Sequence, residues 1–261
     1  MAVRLLISLL LGAGTLCGCA AGPDPRDPME PFNRKVYAFN EGVDKAVLKP
    51  VAKGYVAVVP RLVRQGVTNV FTNMRMVVTT LNDALQLKGS KVPVDIARFL
   101  TNLVFGIGGL IDVATELKIE HRKEDFGQTL GYWGVASGPY LVLPFFGPSS
   151  ARDAPGLAVD YVTSPYYYWN EDGEIRWSVF ALDVIDTRAN LLDAEKILNT
   201  AAMDRYSFLR DTYLQRREYL IQDGNPPTGP GTRQKSLKEL EEEDSTDEAV
   251  PMNEAPGIRR P

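Results

Sequence analysis

The chain has two cysteines and one histidine in 261 residues, and both cysteines, Cys17 and Cys19, precede residue 20. No disulfide can therefore hold the body of the fold. A bridge between Cys17 and Cys19 themselves would close almost no loop and stabilise little. A thiol-based zinc site lacks its ligands, and no H-E-x-x-H is present. His121, set among charges in EHRKEDF, is the one imidazole a Ser-His-Asp group could use, and no G-x-S-x-G occurs. Gly106-Ile107-Gly108-Gly109 lacks the order of a dinucleotide or Walker loop, so it reads as close helix packing. A basic excess is missing as well: the net charge is −4, which argues against nucleic acid as a partner. No apolar run reaches the ~20 residues of a bilayer span. These absences point to a protein that is not an enzyme, with no catalytic residue, no metal and no cofactor.

What is present begins at the N-terminus, MAVRLLISLLLGAGTLCGCAAGPDP. Arg4 supplies a positive n-region, Leu5 to Leu11 an apolar h-region, and small residues follow, the layout of a secretory signal peptide. Leu16-Cys17-Gly18-Cys19 resembles the bacterial lipobox, with small Gly18 before an acylated Cys19. On this reading residues 1–18 are a lipoprotein signal peptide and 19–26 a lipidated tether. An ordinary secreted chain is the alternative. Each buried methylene of an acyl chain contributes ~0.8 kcal/mol, and several chains on one cysteine give stable anchoring. Ala20, in place of Asp, resembles the sorting pattern of an outer-membrane lipoprotein.

Residues 27–224 read as one helical domain. Hydrophobic residues make up 44% of the chain and charged residues 24%, a balance that permits a sizeable core. Asp27-Pro28-Met29-Glu30 looks like a helix start capped by Asp27. Phe32, Val36, Phe39, Val43 and Val47 form one helical face, and Pro50 ends this element or starts the next. Val63, Val67, Val70, Phe71 and Met74 form a second stripe, and a helix from about Pro93 carries Ile96, Phe99, Leu100 and Leu103. FLTNLVFGIGGLI, residues 99–111, has no charge, and suits a buried helix or one lying in a bilayer interface. GYWGVASGPYLVLPFFGPSSARD, rich in Gly, Pro and aromatics, suggests a hairpin or irregular loop that packs inward or meets lipid. Adjacent Glu124 and Asp125 read as a cap or ion-pairing groups. The aromatic run Tyr166-Tyr167-Tyr168-Trp169 is either core packing or a belt at headgroup level. One helix is expected over about Ser178 to Leu198, and another from a cap at Asp204 to a stop at Gly224. Residues 225–261 are proline-rich, then acidic, and are expected to be a disordered tail.

Two stretches carry a resemblance. Asp27-Pro28-x-Glu30-x-x-Asn33-Arg34, followed by Phe39-Asn40 and Asp44, resembles the opening motif of the MlaA (VacJ) lipoproteins, and EDFGQTLGYWGVASGPYLVLPFFGPSSARD resembles their signature. The likeness runs over about residues 27–222. It implies an all-α, ring-shaped arrangement of amphipathic helices lying in one membrane leaflet, with an irregular apolar hairpin loop. It implies a lipid-anchored, periplasm-facing protein of the Gram-negative outer membrane. Such a protein stands beside a trimeric porin and passes misplaced phospholipid through an amphipathic channel to a periplasmic lipid carrier protein. Asn33, Arg34, Asn40, Asn69, Asn73 and Asn82 are candidates for a polar channel lining, with a cap or a buried hydrogen bond as the alternative for each. Gly134, Gly138 and Gly147 are candidate hinges of a loop that gates the channel. A structural lipoprotein bracing a porin without transport is the rival function.

Overall fold

A computed structural model of the chain describes residues 24–168, 173–201 and 204–224. The chain separates into two units, Met1–Gly224 and Asn225–Pro261, and the described residues all belong to the first. The signal peptide, Cys19 and the acidic tail lie outside the described residues. The unit is built from helices α1 (Glu30–Val43), α2 (Lys49–Val58), α3 (Arg61–Leu85), α4 (Val92–Val104), α5 (Val113–Glu116) and α6 (Phe126–Tyr132), then α7 (Asp153–Thr163), α8 (Pro165–Tyr168), α9 (Gly173–Asn190), α10 (Leu192–Ala201) and α11 (Arg205–Ile221). Its described strands, β1 (Tyr140–Leu143) and β2 (Gly147–Ser150), pair antiparallel from Tyr140↔Ser150 to Leu143↔Gly147. The fold is thus all-α with one apolar hairpin. Among the described residues no helix is long and apolar enough to cross a membrane.

Local chemistry explains most boundaries and corrects two expectations. First, α1 starts at Glu30 with Pro31 in its first turn, and no side chain caps it. Asp27 is instead fully enclosed, where its carboxylate accepts from Asn33 Nδ2 (2.8 Å) and from the Tyr206 hydroxyl. A buried carboxylate requires such donors. Pro50, read as ending the first element or starting the next, starts the next. A π-helical segment, Asp44–Leu48, joins α1 to α2, and Pro50 falls in the first turn of α2. The wider turn relieves the clash that a proline ring makes with the carbonyl four residues back. Second, the single helix expected over Ser178 to Leu198 is two, α9 and α10, parted at Leu191. At the end of α9 the Asn190 amide donates to Thr68 Oγ1 (3.1 Å), and just beyond the break Glu195 binds Lys49 Nζ (2.7 Å). These bonds hold the two helices to different partners. The last expected boundaries match: Asp204 accepts from the Tyr206 N–H (3.0 Å), and Gly224, at φ +83°, closes α11 by donating to Tyr219 O (3.0 Å).

Burial runs opposite to a water-soluble helical domain. On α4 the polar residues Asp95, Arg98 and Asn102 are enclosed, while Ile96, Leu100 and Leu103 face outward. On α3 Asn73, Thr79, Asn82 and Asp83 are enclosed, while Leu62, Val63 and Leu81 face outward. Asn33 is the buried residue of α1, whose Phe32 and Phe39 are exposed. Among the described residues, enclosed polar and charged side chains outnumber enclosed apolar ones. Buried charges are tolerable only when paired and hydrogen-bonded, and most of these are; fully enclosed Asp83, whose carboxyl oxygens lack a hydrogen-bond partner, is held as the acid instead. Arg98, 2% exposed, grips Asp112 (2.9 and 2.7 Å) and donates to Ile119 O (2.6 Å). Arg122 pairs with Asp95 (2.9 Å), and Lys88 bridges Glu124 (3.3 Å) and Asp223 (2.6 Å). A small apolar cluster of Tyr140, Val142 and Tyr206 sits where the hairpin meets α1 and α11.

Candidate functional site

The exposed apolar side chains are not scattered. Leu103, Val104, Phe105, Ile107, Leu110 and Ile111 stand together at the end of α4 and the turn after it, with Phe105 71% exposed. Gly106 makes that turn possible. A Cβ there would lie 2.1 Å from Ile111 O and 2.4 Å from Asn102 O, so the chain folds back on its own backbone. Gly109 lies against Asn73 of α3 in the same way (3.2 Å), so the Gly-rich motif serves close packing. At the hairpin tip Phe145 and Phe146 are likewise exposed, and Phe145 meets Phe39 edge to face at 5.4 Å. Tyr161, Tyr167, Tyr168 and Trp177 extend the exposed aromatic surface, with Phe180 in ring contact with Tyr161 and Trp177. Tyr166 turns inward against Phe71 (5.8 Å), while Trp169 lies outside the described residues. An open apolar cavity of about 500 Å³ lies beside the hairpin tip, lined by Leu143, Phe146, Leu157, Tyr161, Trp177 and Phe180.

The hairpin is held by two asparagines of α1. Asn33 Nδ2 donates to Tyr140 O (3.0 Å) and its Oδ1 accepts from the Val142 N–H (3.0 Å). Seven residues on, Asn40 Nδ2 donates to Leu143 O (2.9 Å) and its Oδ1 accepts from the Phe145 N–H (2.8 Å). Seven residues is two helical turns, so both amides lie on one face of α1. Each offers a donor and an acceptor side by side, as a neighbouring strand would. The free edge of β1 is thus closed by side chains, which blunts an otherwise exposed edge. The Arg26 carbonyl completes that edge by accepting from the Tyr140 N–H (2.9 Å).

The remaining expected residues are placed as follows. Gly134 (φ +87°) follows α6 as its terminating glycine, Gly138 (φ +65°) precedes Pro139 and lies against Ala151, and Gly147 (φ +81°) opens β2 beyond the tip. All three take the left-handed backbone that favours glycine. Arg34 ties α1 to the start of α11, binding Glu30 (2.7 Å) and Asp204 (2.7 Å) and lying over the Tyr206 ring at 4.3 Å. That guanidinium, more than any other neighbour, holds the Asp204 carboxyl well below the usual carboxylate range. Asn69 donates to Leu110 O (2.9 Å) and keeps some exposed surface. Asn82 is enclosed, donating to Val78 O (3.0 Å) and accepting from Thr129 Oγ1 (2.7 Å). Asn73 is also buried, with its Oδ1 unpartnered.

The block from Glu124 to Asp153 is largely a joint. Asp125 caps α6 by accepting from the Gln128 N–H (2.9 Å) and binds Arg217 of α11 (2.8 Å). Glu124 pairs with Lys88 and accepts from Gln86 Nε2 (3.0 Å). Gly127 and Gly156 let α6 and α7 touch backbone to backbone, since a Cβ on Gly156 would lie 2.7 Å from Gly127 N. Asp160 closes the joint by accepting from the Phe126 N–H (3.0 Å), and burial, with Asp125 nearby, pushes its carboxyl up to about 6. Single-sequence reading missed the enclosed Asp83, Asp95, Arg98 and Arg217. The available signal was their helical spacing opposite an apolar stripe: Asp95, Arg98 and Asn102 recur at three and four residues.

The MlaA lipoprotein family model matches residues 25–220. A Haemophilus influenzae protein named intermembrane phospholipid transport system lipoprotein MlaA is 34% identical over 236 residues, covering 86% of this chain and 93% of its own. The protein of the same name from Escherichia coli K12 is 34% identical over 252 residues, covering 91% and 98%. A solved structure described as the structural basis for maintenance of bacterial outer membrane lipid asymmetry is similar with a TM-score of 0.65 and 33% identity. The match covers 75% of this chain and 98% of that one.

Proposed function

We propose that this chain, which belongs to the MlaA lipoprotein family, removes misplaced phospholipid from the outer leaflet of the outer membrane and passes it to a periplasmic carrier. Anchored through Cys19, its helices lie as a ring in the inner leaflet beside a trimeric porin, facing the periplasm, and an amphipathic channel runs through the ring. The observation that supports this reading is the inverted burial. Leu103, Phe105, Ile107 and Phe145 face outward, where water would penalise them and acyl chains do not. Enclosed Asp95, Arg98, Asn102 and Asn82, paired within the protein, make the interior side of these helices polar, the side on which a headgroup can be received, since burying one in an apolar wall costs several kcal/mol. In this arrangement Arg34 and Asn69, which keep accessible surface, contribute to the polar wall. Asn33, Asn40, Asn73 and Asn82 frame that wall with amides largely committed to protein partners. Gly134, Gly138 and Gly147 let the hairpin move at the channel mouth. No bond in the lipid is made or broken, so the task asks for no nucleophile or base. The test is the amount of surface-exposed phospholipid in cells with and without the gene. Deletion should raise it and the intact gene should restore it. Unchanged asymmetry with a destabilised porin would favour a bracing lipoprotein instead.

A further inference from the structure

A second cavity, of about 600 Å³, lies between the segment before α6 and the end of α11, with Glu120, His121, Lys123, Arg216, Tyr219 and Leu220 in its lining. Other charges of that lining are already spoken for. Lys91 binds Asp223 (2.7 Å), Arg122 binds Asp95 (2.9 Å), and Glu124 is held by Lys88 (3.3 Å). Among the described residues, Lys123 and Arg216 form no ion pair, and Glu120 is the lining carboxylate that also stays outside one. Lys123 keeps an open surface yet is crowded on several sides. Burial, then the guanidinium groups of Arg75 and Arg216, push its ammonium below the usual lysine value. Arg75, on α3 behind the lining, is paired to Asp183 of α9. Burial and Arg98 push His121 down as well, so its ring is neutral near pH 7 and offers a hydrogen bond without charge.

Lys123 and Arg216 share this concavity without an ion-pair partner of their own, with Asp125 and Asp183 only partly offsetting their repulsion at Lys123, and an anion bound between them removes that cost. The guanidinium fork and the lysine point charge together match phosphate oxygens. The volume lies in the range of small-ligand sites, and Tyr219 and Leu220 give the lining an apolar side. We propose that Lys123 and Arg216, backed by Arg75, form a binding site for the phosphate ester of a phospholipid headgroup. This rests on the transport reading and names the group through which the lipid is gripped.

The experiment uses the full-length mature lipoprotein in detergent and titration calorimetry with four probes: dihexanoylphosphatidylcholine, glycerophosphocholine, inorganic phosphate and phosphate-free dihexanoylglycerol. In the double variant Lys123→Gln/Arg216→Gln, affinity for both phosphate esters should fall on the order of ten- to a hundredfold, the range for losing charge-assisted hydrogen bonds. Binding of dihexanoylglycerol and the melting temperature should not move. Lys123→Arg/Arg216→Lys should keep most of the affinity. Undiminished binding of dihexanoylphosphatidylcholine by the double glutamine variant overturns the site. Binding of inorganic phosphate alone, with the esters excluded, assigns the cavity to a free anion and also overturns it. A gene deletion that leaves asymmetry normal defeats the transport reading, whereas these titrations decide the site by themselves.

Discussion

Replacing Asn33 with leucine, of nearly the same size, should unfasten the hairpin from α1. Asn33 is fully enclosed, and Tyr140 and Val142 beside it are 1% and 3% exposed. Leucine leaves the Val142 N–H and the Tyr140 carbonyl without their side-chain partner, and takes one donor from Asp27. An unsatisfied buried polar group costs about 1–3 kcal/mol, so the two backbone groups together cost about 2–6 kcal/mol. Against a total stability of about 5–15 kcal/mol, that is a large part. For a chain of this size each kcal/mol moves Tm by about 2–4 °C, so a fall on the order of 10 °C is expected. Asn40 makes the same pair of bonds near the tip, where it is half-buried and water can replace it. Asn40→Leu should therefore cost only about 1 kcal/mol. Thermal unfolding in detergent gives the first measurement, and amide hydrogen exchange at Val142 and Phe145 the second. Exchange at Val142 should accelerate in Asn33→Leu and stay protected in Asn40→Leu. Equal melting shifts in the two variants, or an unchanged Val142 amide, would refute the argument that Asn33 stands in for a strand.

Three further outcomes are expected. Gly147→Val places its side chain in open space but demands φ +81° of a β-branched residue; it should cost about 1–3 kcal/mol and shift the resting position of the hairpin, and normal surface phospholipid in cells carrying it would speak against a hinge. Burial, then the neighbouring Asp95, raise the Asp83 carboxyl from 3.8 to about 7. The proton it holds in the folded state stabilises fully below pH 4, and that stability is lost as pH rises through 7; Asp83→Asn should flatten a Tm-versus-pH profile over this window. Cys19→Ala should leave an unprocessed precursor without palmitate label, whereas Cys17→Ala should be nearly silent; a label that vanishes with Cys17→Ala and survives Cys19→Ala would reassign the acylated residue.

Amphipathic periodicity was legible in the sequence, and so was the hairpin, because both depend on short-range spacing and on Gly and Pro. The direction of each face was not. Ile96, Leu100 and Leu103 form a stripe whichever way α4 turns, and periodicity alone cannot say whether water or acyl chains lie beyond it. Asp27 illustrates a second limit: as a cap it fits every local rule, yet its partners are Asn33 and, 179 residues away, the hydroxyl of Tyr206. The role of Asn33 and Asn40 could be guessed as polar but not as a false strand, since that depends on how α1 docks on β1. The break at Leu191 was hidden for the same reason, because the bonds that part α9 from α10 go to distant elements.

The π-helical segment Asp44–Leu48 has a consequence for insertions and deletions. Its wide turn spends one residue more than an α-helical turn, so α1 and α2 keep the rotational phase that a plain helix one residue shorter would give them. Upstream of it, Asn33 and Asn40 must face the hairpin. Downstream, Lys49 must reach Glu195 (2.7 Å) and Tyr55 must reach Asp186 (3.2 Å). Loss of one residue within α1 would rotate one docking face against the other by about 100° and break one set of bonds. Loss of one residue among Ala46, Val47 and Leu48 would straighten the turn and leave both faces aimed as before, but it would restore the Pro50 ring clash that the wide turn relieves. The segment is the place along residues 30–58 where the helix can lose one residue and keep both docking faces, with the returning Pro50 clash, about 3 kcal/mol, as the penalty.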